Sequence, residues 1–170
     1  MHTLLVMPYR WARFAAAAPA IAAAAERLFR AFTIGYLATV RRDGAPRVHP
    51  VTVTLAGDGL YVLVLRHTPK AGDLRRDGRF ALHAFPHSPT ADGWHDEEVM
   101  IGGTAALVTD REVRERVERV HNDTAPPDAL LFELSVDRAV HKFRGEGGQA
   151  DVVTFSIAAS NSGASGSTRG

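Results

Sequence analysis

The reading of this chain turns on IGYLATV (34–40), RRDG (41–44), APRVHPVTVTLA (45–56), GDG (57–59) and LYVLVL (60–65). Its β-branched, aromatic and leucine residues recur with a period of two, the pattern of half-buried strands. Asp43-Gly44 lies between two such runs, and Asp-Gly is a strong hairpin signal because glycine accepts the positive φ of a tight turn. Gly57-Asp58-Gly59 marks the next reversal. Strands at Ile34–Val40, Val48–Leu55 and Leu60–Leu65, joined by turns this short, make an antiparallel meander. A parallel βαβ unit would need longer crossovers.

Upstream, Met1 to Phe14 reads as an irregular lead-in anchored by Tyr9 and Trp11. Pro19 suits the first position of a helix, where its missing N–H costs nothing. Ile21, Ala24, Ala25, Leu28, Phe29 and Phe32 then follow at spacings of three and four, so a helix with one apolar face is expected over about 19–32. The alanine-rich stretch from Ala15 to Ala25 resembles the end of a secretory signal. Arg10, Arg13, Pro19 and Glu26-Arg27 interrupt the apolar run that such a signal needs, so none is expected.

Downstream, His67 to Gly78 is polar and suits a short helix or turn. Arg79–Phe85 and Glu98–Val108 read as the fourth and fifth strands, separated by a turn-rich loop over Pro86–Asp96 that carries Trp94 and His95. Gly102-Gly103 inside the fifth strand marks a bulge or a barrel corner. Asp110 opens a second helix with Val113, Val117 and Val120 as its apolar positions. Leu130–Val136 is a sixth strand, Val140–Arg144 a continuation or a seventh, and Val152–Ile157 a weaker candidate. The glycine-rich Lys142–Gly148 segment reads as a flap or an anion-binding turn. Ala158–Gly170, almost entirely small and polar, is expected to be a disordered tail. A mainly β (α+β) protein follows: a six- to seven-stranded antiparallel split barrel with two flanking helices, one domain over residues 1–157. Closing into a barrel is how such sheets remove their edges.

Composition narrows the function. The 170 residues carry 20 basic and 19 acidic side chains, closely interspersed, so the one-sided basic excess of a nucleic-acid binder is missing. Zero cysteines exclude disulfides, thiolate metal sites and thiol nucleophiles, and a cytoplasmic address is expected. No run approaches the roughly 18 apolar residues of a membrane-spanning helix. Eight histidines show no helical metal-ligand spacing, so no metal site is expected. The charges between Arg111 and Arg119 read as a solvated helix face.

Chemistry concentrates in Leu37-Ala38-Thr39, Asp43-Gly44-Ala45-Pro46-Arg47-Val48-His49-Pro50-Val51, and Thr68-Pro69-Lys70 through Leu74 to Arg79. This order of elements, densest between Gly35 and Phe85, resembles the pyridoxamine 5′-phosphate oxidase-like family of flavin-binding split barrels, closely over about 75 residues and loosely to Val136. The resemblance implies a flavin-dependent oxidoreductase acting on a small organic substrate, its cofactor held at a homodimer interface. It implies FMN, with the deazaflavin F420 as rival and haem behind both, His141 being the first residue to suspect as a haem ligand.

A dianionic phosphate calls for cationic donors and hydroxyls. Arg47, Lys70 and Thr68 supply them, with His49 a weaker candidate. By the family's pattern, the second strand lies along the flavin ring through His49, Pro50, Val51, Thr52 and Thr54. Val48, Val64 and Leu65 complete the expected cofactor-binding set. Glu98 stands where the family has a glutamine that reaches the flavin, and an ionised glutamate can only accept hydrogen bonds. Pro69 replaces an arginine often found there. The family's C-terminal substrate-gripping tryptophan and arginine have no counterpart, so oxidation of pyridoxamine phosphate itself is not expected. No catalytic acid, base or nucleophile stands out; His49 and Glu98 are the titratable groups to test first. The competing readings are a non-catalytic carrier or sensor of flavin or haem, and a pathway enzyme that reuses the groove without flavin.

Overall fold

The computed structural model describes residues 9–84, 97–120, 125–145 and 148–157. In chain order the elements are α1 (Trp11–Ala17), α2 (Pro19–Ala31), β1 (Ile34–Val40), β2 (Pro46–Ala56), β3 (Gly59–Leu65), α3 (Pro69–Arg76), β4 (Arg79–Ala84), β5 (Glu98–Leu107), α4 (Arg111–Val120), β6 (Ala129–Arg144) and β7 (Ala150–Ser156). All strand pairings are antiparallel, in the order β3-β2-β1-β4-β5-β6-β7, and β3 also pairs with β6. Six strands therefore close on themselves, and β7 extends the far end of β6.

The closure depends on the length of β6. Its first residues pair with β3, Leu130 lying opposite Val64 and Phe132 opposite Val62. Its last residues pair with β7, His141 opposite Val153. The segments over Leu130–Val136 and Val140–Arg144 are one continuous strand, because Val136 pairs with Gly103 and Arg138 with Gly102 of β5 on either side of Asp137, the one residue the register skips. Lys142–Arg144 belong to that strand. Gly145 and Gly148 stand at the reversal into β7, where the Gly145 N–H donates to the Gln149 carbonyl at 2.8 Å and Gly148 takes a φ of +81°.

Two turn expectations hold. Gly44 adopts a φ of +84°, and the Arg41 N–H donates across the turn to the Ala45 carbonyl at 2.9 Å. In β5 the register slips between Gly102 and Gly103, where a Cβ on Gly103 would collide with the Ser135 backbone. The helices exceed the two expected. Trp11–Ala17 is helical where an irregular lead-in is read from sequence, because Trp11 and Phe14 sit one turn apart and both bury. The polar segment after β3 also closes into a full helix, α3.

The core fills the barrel and the space beneath α1 and α2. Leu37, Leu60, Leu82, Ile101, Phe132 and Leu134 are fully enclosed, and Ile21, Ala25, Leu28 and Phe29 of α2 cap them. The alanine-rich stretch is thus a packed helix: small side chains let it lie close to the sheet. A smaller cluster of Ala56, Tyr61, Leu131 and Val117 seats α4. No described helix is long and apolar enough to cross a membrane. The Pro86–Asp96 loop, with Trp94 and His95, and the tail from Ala158 fall outside the described residues.

Candidate functional site

The β1–β2 register builds the first half of the site. Antiparallel pairing sets Leu37 opposite His49 and Thr39 opposite Arg47, so all four project from the same face of the sheet. Leu37 faces the core and Thr39 is buried, which aims Arg47 and His49 along the inner face towards its open end. There α3 packs across β1. It carries Asp73, only 6% exposed at its side chain, to meet them.

Asp73 is the hub. Arg47 Nε donates to its Oδ2 at 2.8 Å and Thr39 Oγ1 donates to the same oxygen at 3.1 Å, while Arg76 approaches Oδ1 at 3.3 Å. Arg76 also donates to the Val40 carbonyl, tying α3 to the end of β1. Burial pushes the Asp73 carboxyl up, but the hydrogen bonds from Arg47, Thr39 and Arg76 outweigh it and leave the group below its ordinary value. Asp73 therefore stays ionised and fixes the Arg47 guanidinium. The two terminal nitrogens of Arg47 have no hydrogen-bond partner among the described residues.

His49 sits beside this cluster with its Nε2 buried and unpartnered among the described residues. Burial lowers its pKa, and the positive fields of Lys70 and Arg47 lower it further against an opposing pull from Asp73. A neutral imidazole with a buried, unsatisfied ring nitrogen is costly unless something pairs with it. An anion resting on Arg47 and Lys70 has the chemistry to supply that partner.

Beyond Arg47 the same cluster opens into a cavity of about 510 Å³ between the β1–β2 turn and α3. Arg41, Arg42, Arg47 and Arg76 line it, with Asp43 and Asp73 as the acidic members. From α3 come Pro69, Gly72, Asp73 and Arg76, one face of the helix at spacings of three and four. Asp73, Thr39, Arg76 and the Arg41–Arg42 pair escaped the reading of site residues from sequence. The signal was present in two places: the hairpin register that sets Thr39 beside Arg47, and the Asp73–Arg76 spacing on one helix face.

The other candidate residues divide between two faces. Val48, Pro50 and Thr52 alternate with Arg47, His49 and Val51 and so project from the opposite side of β2. Val48 lies 60% exposed there, beside an exposed Tyr36. Glu98 belongs to that outer side too. His83 pairs in register with both Tyr36 and Met100, and Glu98 accepts from His83 Nε2 at 3.0 Å and approaches Lys142 Nζ at 3.5 Å. The structure therefore brings Arg47, His49 and Lys70 together and holds Glu98 on the outer face with Val48 and Pro50. Val51, Thr54 and Val64 are buried, whereas Leu65 is exposed at the end of β3. Thr68 spends its hydroxyl hydrogen on the Leu65 carbonyl at 2.8 Å and has only lone pairs left to offer.

His141 is held within the structure. Its Nε2 pairs with Glu97 Oε1 at 3.0 Å and its ring stacks on Phe143. Glu97 is gripped in turn by Arg27 of α2 through two bonds of 2.6 and 2.8 Å. Those Arg27 bonds are the main reason the Glu97 carboxyl lies below its usual range. Among the described residues there is no cluster of potential metal ligands.

Solved structures of the same fold include a haem-binding protein from Mycobacterium smegmatis, 20% identical with a TM-score of 0.63. The match covers 85% of this chain and 61% of that one, so the chain spans less than two thirds of that protein's length. HutZ, the haem storage protein of Vibrio cholerae, is 15% identical with a TM-score of 0.56, over 66% of this chain and 87% of that one. A putative pyridoxamine 5′-phosphate oxidase from Listeria innocua is 21% identical with a TM-score of 0.56, over 68% of this chain and 92% of that one. At these identities the likeness establishes the fold alone. No curated protein matches the sequence. The family model for pyridoxamine 5′-phosphate oxidase matches residues 21–143, from the core-facing helix α2 through the barrel to the end of β6, and the chain belongs to that family.

Proposed function

We propose that this protein is an oxidoreductase that binds a flavin or deazaflavin by its phosphate, at a groove completed by a second copy of the chain. The observation that carries the reading is the buried, unpartnered Nε2 of His49, which lies in the positive field of Lys70 and Arg47. A phosphate group fits that setting. It would neutralise two cations whose own partners do not, and it would accept from the imidazole. Arg47 and Lys70 would hold the phosphate, Asp73 would keep Arg47 in place, and His49 would complete the cradle. The cofactor, when bound, supplies the hydride chemistry, while the protein orients it and shapes the pocket.

Family membership supports the reading, since the family contains oxidoreductases. The outer face of the sheet supports the second copy. Tyr36, Val48 and Met100 are large apolar residues left exposed on neighbouring strands, a surface suited to burial against its own symmetry mate.

A haem-carrying role is the second reading, favoured by the names of two structural neighbours. In this chain it meets an obstacle, because the suspected ligand His141 already pairs with Glu97 and stacks on Phe143.

The absorption spectrum of the purified protein tests the proposal. A two-band flavin spectrum, or the single band of a deazaflavin, is the expected result, retained through gel filtration. A Soret band in place of either would overturn it.

A further inference from the structure

One strand of the described sheet has an open side. The other six close on themselves, whereas β7 pairs only with β6. A bare edge is a template for another strand, and proteins blunt such edges with proline, lysine or a bulge. The sequence of β7, ADVVTFS (150–156), has no proline or lysine, and its register with β6 runs without a bulge. Val152 and Val153 project from opposite faces and are 39% and 40% exposed. Phe155 is buried and holds the strand down against Tyr9 and Phe14.

The ladder shows which backbone groups face outward. The Gly145 N–H donates to the Gln149 carbonyl, and antiparallel pairs alternate from there. Asp151, Val153 and Phe155 thus turn their N–H and C=O groups to β6, while Val152 and Thr154 turn theirs away from the sheet. Charge beside this edge has one dominant sign. Arg138, Lys142 and Arg144 are exposed on β6, on the outer face, in register with Ser156, Val152 and Ala150. Lys142 shares Glu98 of β5 at 3.5 Å, and β7 adds no acid to this face. Asp151 projects from the other side, opposite Phe143.

We infer that the free edge of β7 takes an extended, acidic segment of a partner protein as an added strand. The segment pairs through Val152 and Thr154, with its acidic side chains toward Arg138, Lys142 and Arg144. Main-chain bonds supply the affinity, and the cationic row selects the sequence. A second copy of β7 does not fit that row. Antiparallel pairing about Val153 would set both copies' cations on the same side of the joined sheet and bring no acid to them.

The probes are the peptide acetyl-Glu-Val-Glu-Val-Glu-amide and its counterpart with lysine in place of glutamate. Each is titrated into the full-length protein and followed by backbone-amide NMR. The glutamate peptide should bind about tenfold more tightly at low salt, with the preference shrinking as salt rises. It should slow exchange at the Val152 and Thr154 amides and leave Val153, already bonded to β6, unchanged. Val152→Pro removes an outward N–H and no bond to β6, so it should abolish binding with little change in thermal unfolding. Arg138→Glu combined with Lys142→Glu should turn the preference to the lysine peptide. No binding, equal binding of the two peptides, or full affinity in Val152→Pro overturns the inference. So do Val152 and Thr154 amides that are already protected in the free protein. The edge then belongs to another stretch of this chain or, where the protection depends on concentration, to a second copy.

Discussion

Arg47 and Asp73, 26 residues apart, meet through one hydrogen bond of 2.8 Å that joins strand β2 to helix α3 at the mouth of the barrel. The pair does two jobs. It anchors a helix against the sheet, and it fixes the direction in which a half-buried guanidinium faces.

Asp73→Asn should therefore destabilise the protein. It leaves Arg47 and Arg76 without their counter-charge, and breaking a largely buried ion pair costs about 3 kcal/mol. Chemical denaturation of the variant checks this. Because Asp73 titrates below its ordinary 3.8 in the folded state, its contribution is fully present above that value. It is lost as the pH falls further, through the folded pKa. The variant and the parent should converge in stability in strong acid.

Lys70→Ala should weaken binding of FMN or F420 by about tenfold or more, the loss of a charge-assisted contact to phosphate, with little change in thermal unfolding. Lys70 makes no hydrogen bond or ion pair among the described residues that the fold would miss. Fluorescence titration reads the affinity, and an unchanged dissociation constant would count against the phosphate site. Arg47→Ala should lose both affinity and stability, since it also releases Asp73.

His49 offers a spectroscopic reporter. Burial and its two cationic neighbours hold its pKa below 6.5 in the free protein. Adding inorganic phosphate should raise it, as an anion replaces the unpaired state, and Lys70→Ala should raise it without ligand. Nitrogen-detected NMR across pH 4 to 8 (the range over which an imidazole ordinarily titrates) measures both shifts. With the folded pKa depressed, this histidine contributes stability that is complete above 6.5 and falls away as the pH drops through the folded value.

Val48→Glu should split the proposed dimer. The side chain is 60% exposed on the outer face, so the substitution leaves the monomer's core intact while placing a charge in a surface that two copies would bury. Light scattering should report about twice the 18.4 kDa chain mass for the parent and one chain for the variant. A parent that runs as a clean monomer at micromolar concentration would exclude the shared groove.

Glu97→Gln addresses the haem reading. The substitution should lower stability by about 1–2 kcal/mol by weakening the charge-assisted bonds from Arg27 and His141. If His141 served as a haem ligand, freeing it from Glu97 should strengthen a Soret band on haem addition. On the flavin reading, no such band appears in the parent or in the variant.

What could be read from sequence alone was local. The meander from Ile34 to Leu65 shows in alternating residues, and Asp43-Gly44 announces its turn because glycine alone reaches that φ at no steric cost. Gly102-Gly103 marks the bulge, and the three-and-four spacing from Ile21 to Phe29 declares a core-facing helix. The short helix at Trp11–Ala17 was missed because its seven residues span barely two turns, too few for a period to show. The cationic half of the candidate site was visible as Arg47 and Lys70 within a motif. The face on which each would lie was not.

By itself, then, the order of residues determined the strands, their turns, the family pattern and the types of charge available, since each depends on neighbours a few positions apart. Tertiary structure decided which of those charges meet. Closure of β6 onto β3, the docking of α3 across β1 and the alternation along β2 gather Arg47, His49 and Lys70 and set Glu98 on the other side of the sheet. The physical reason is separation along the chain. Contacts such as Thr39–Asp73 and Arg47–Asp73 span 34 and 26 residues, and only a packed core holds such distant segments at hydrogen-bonding distance.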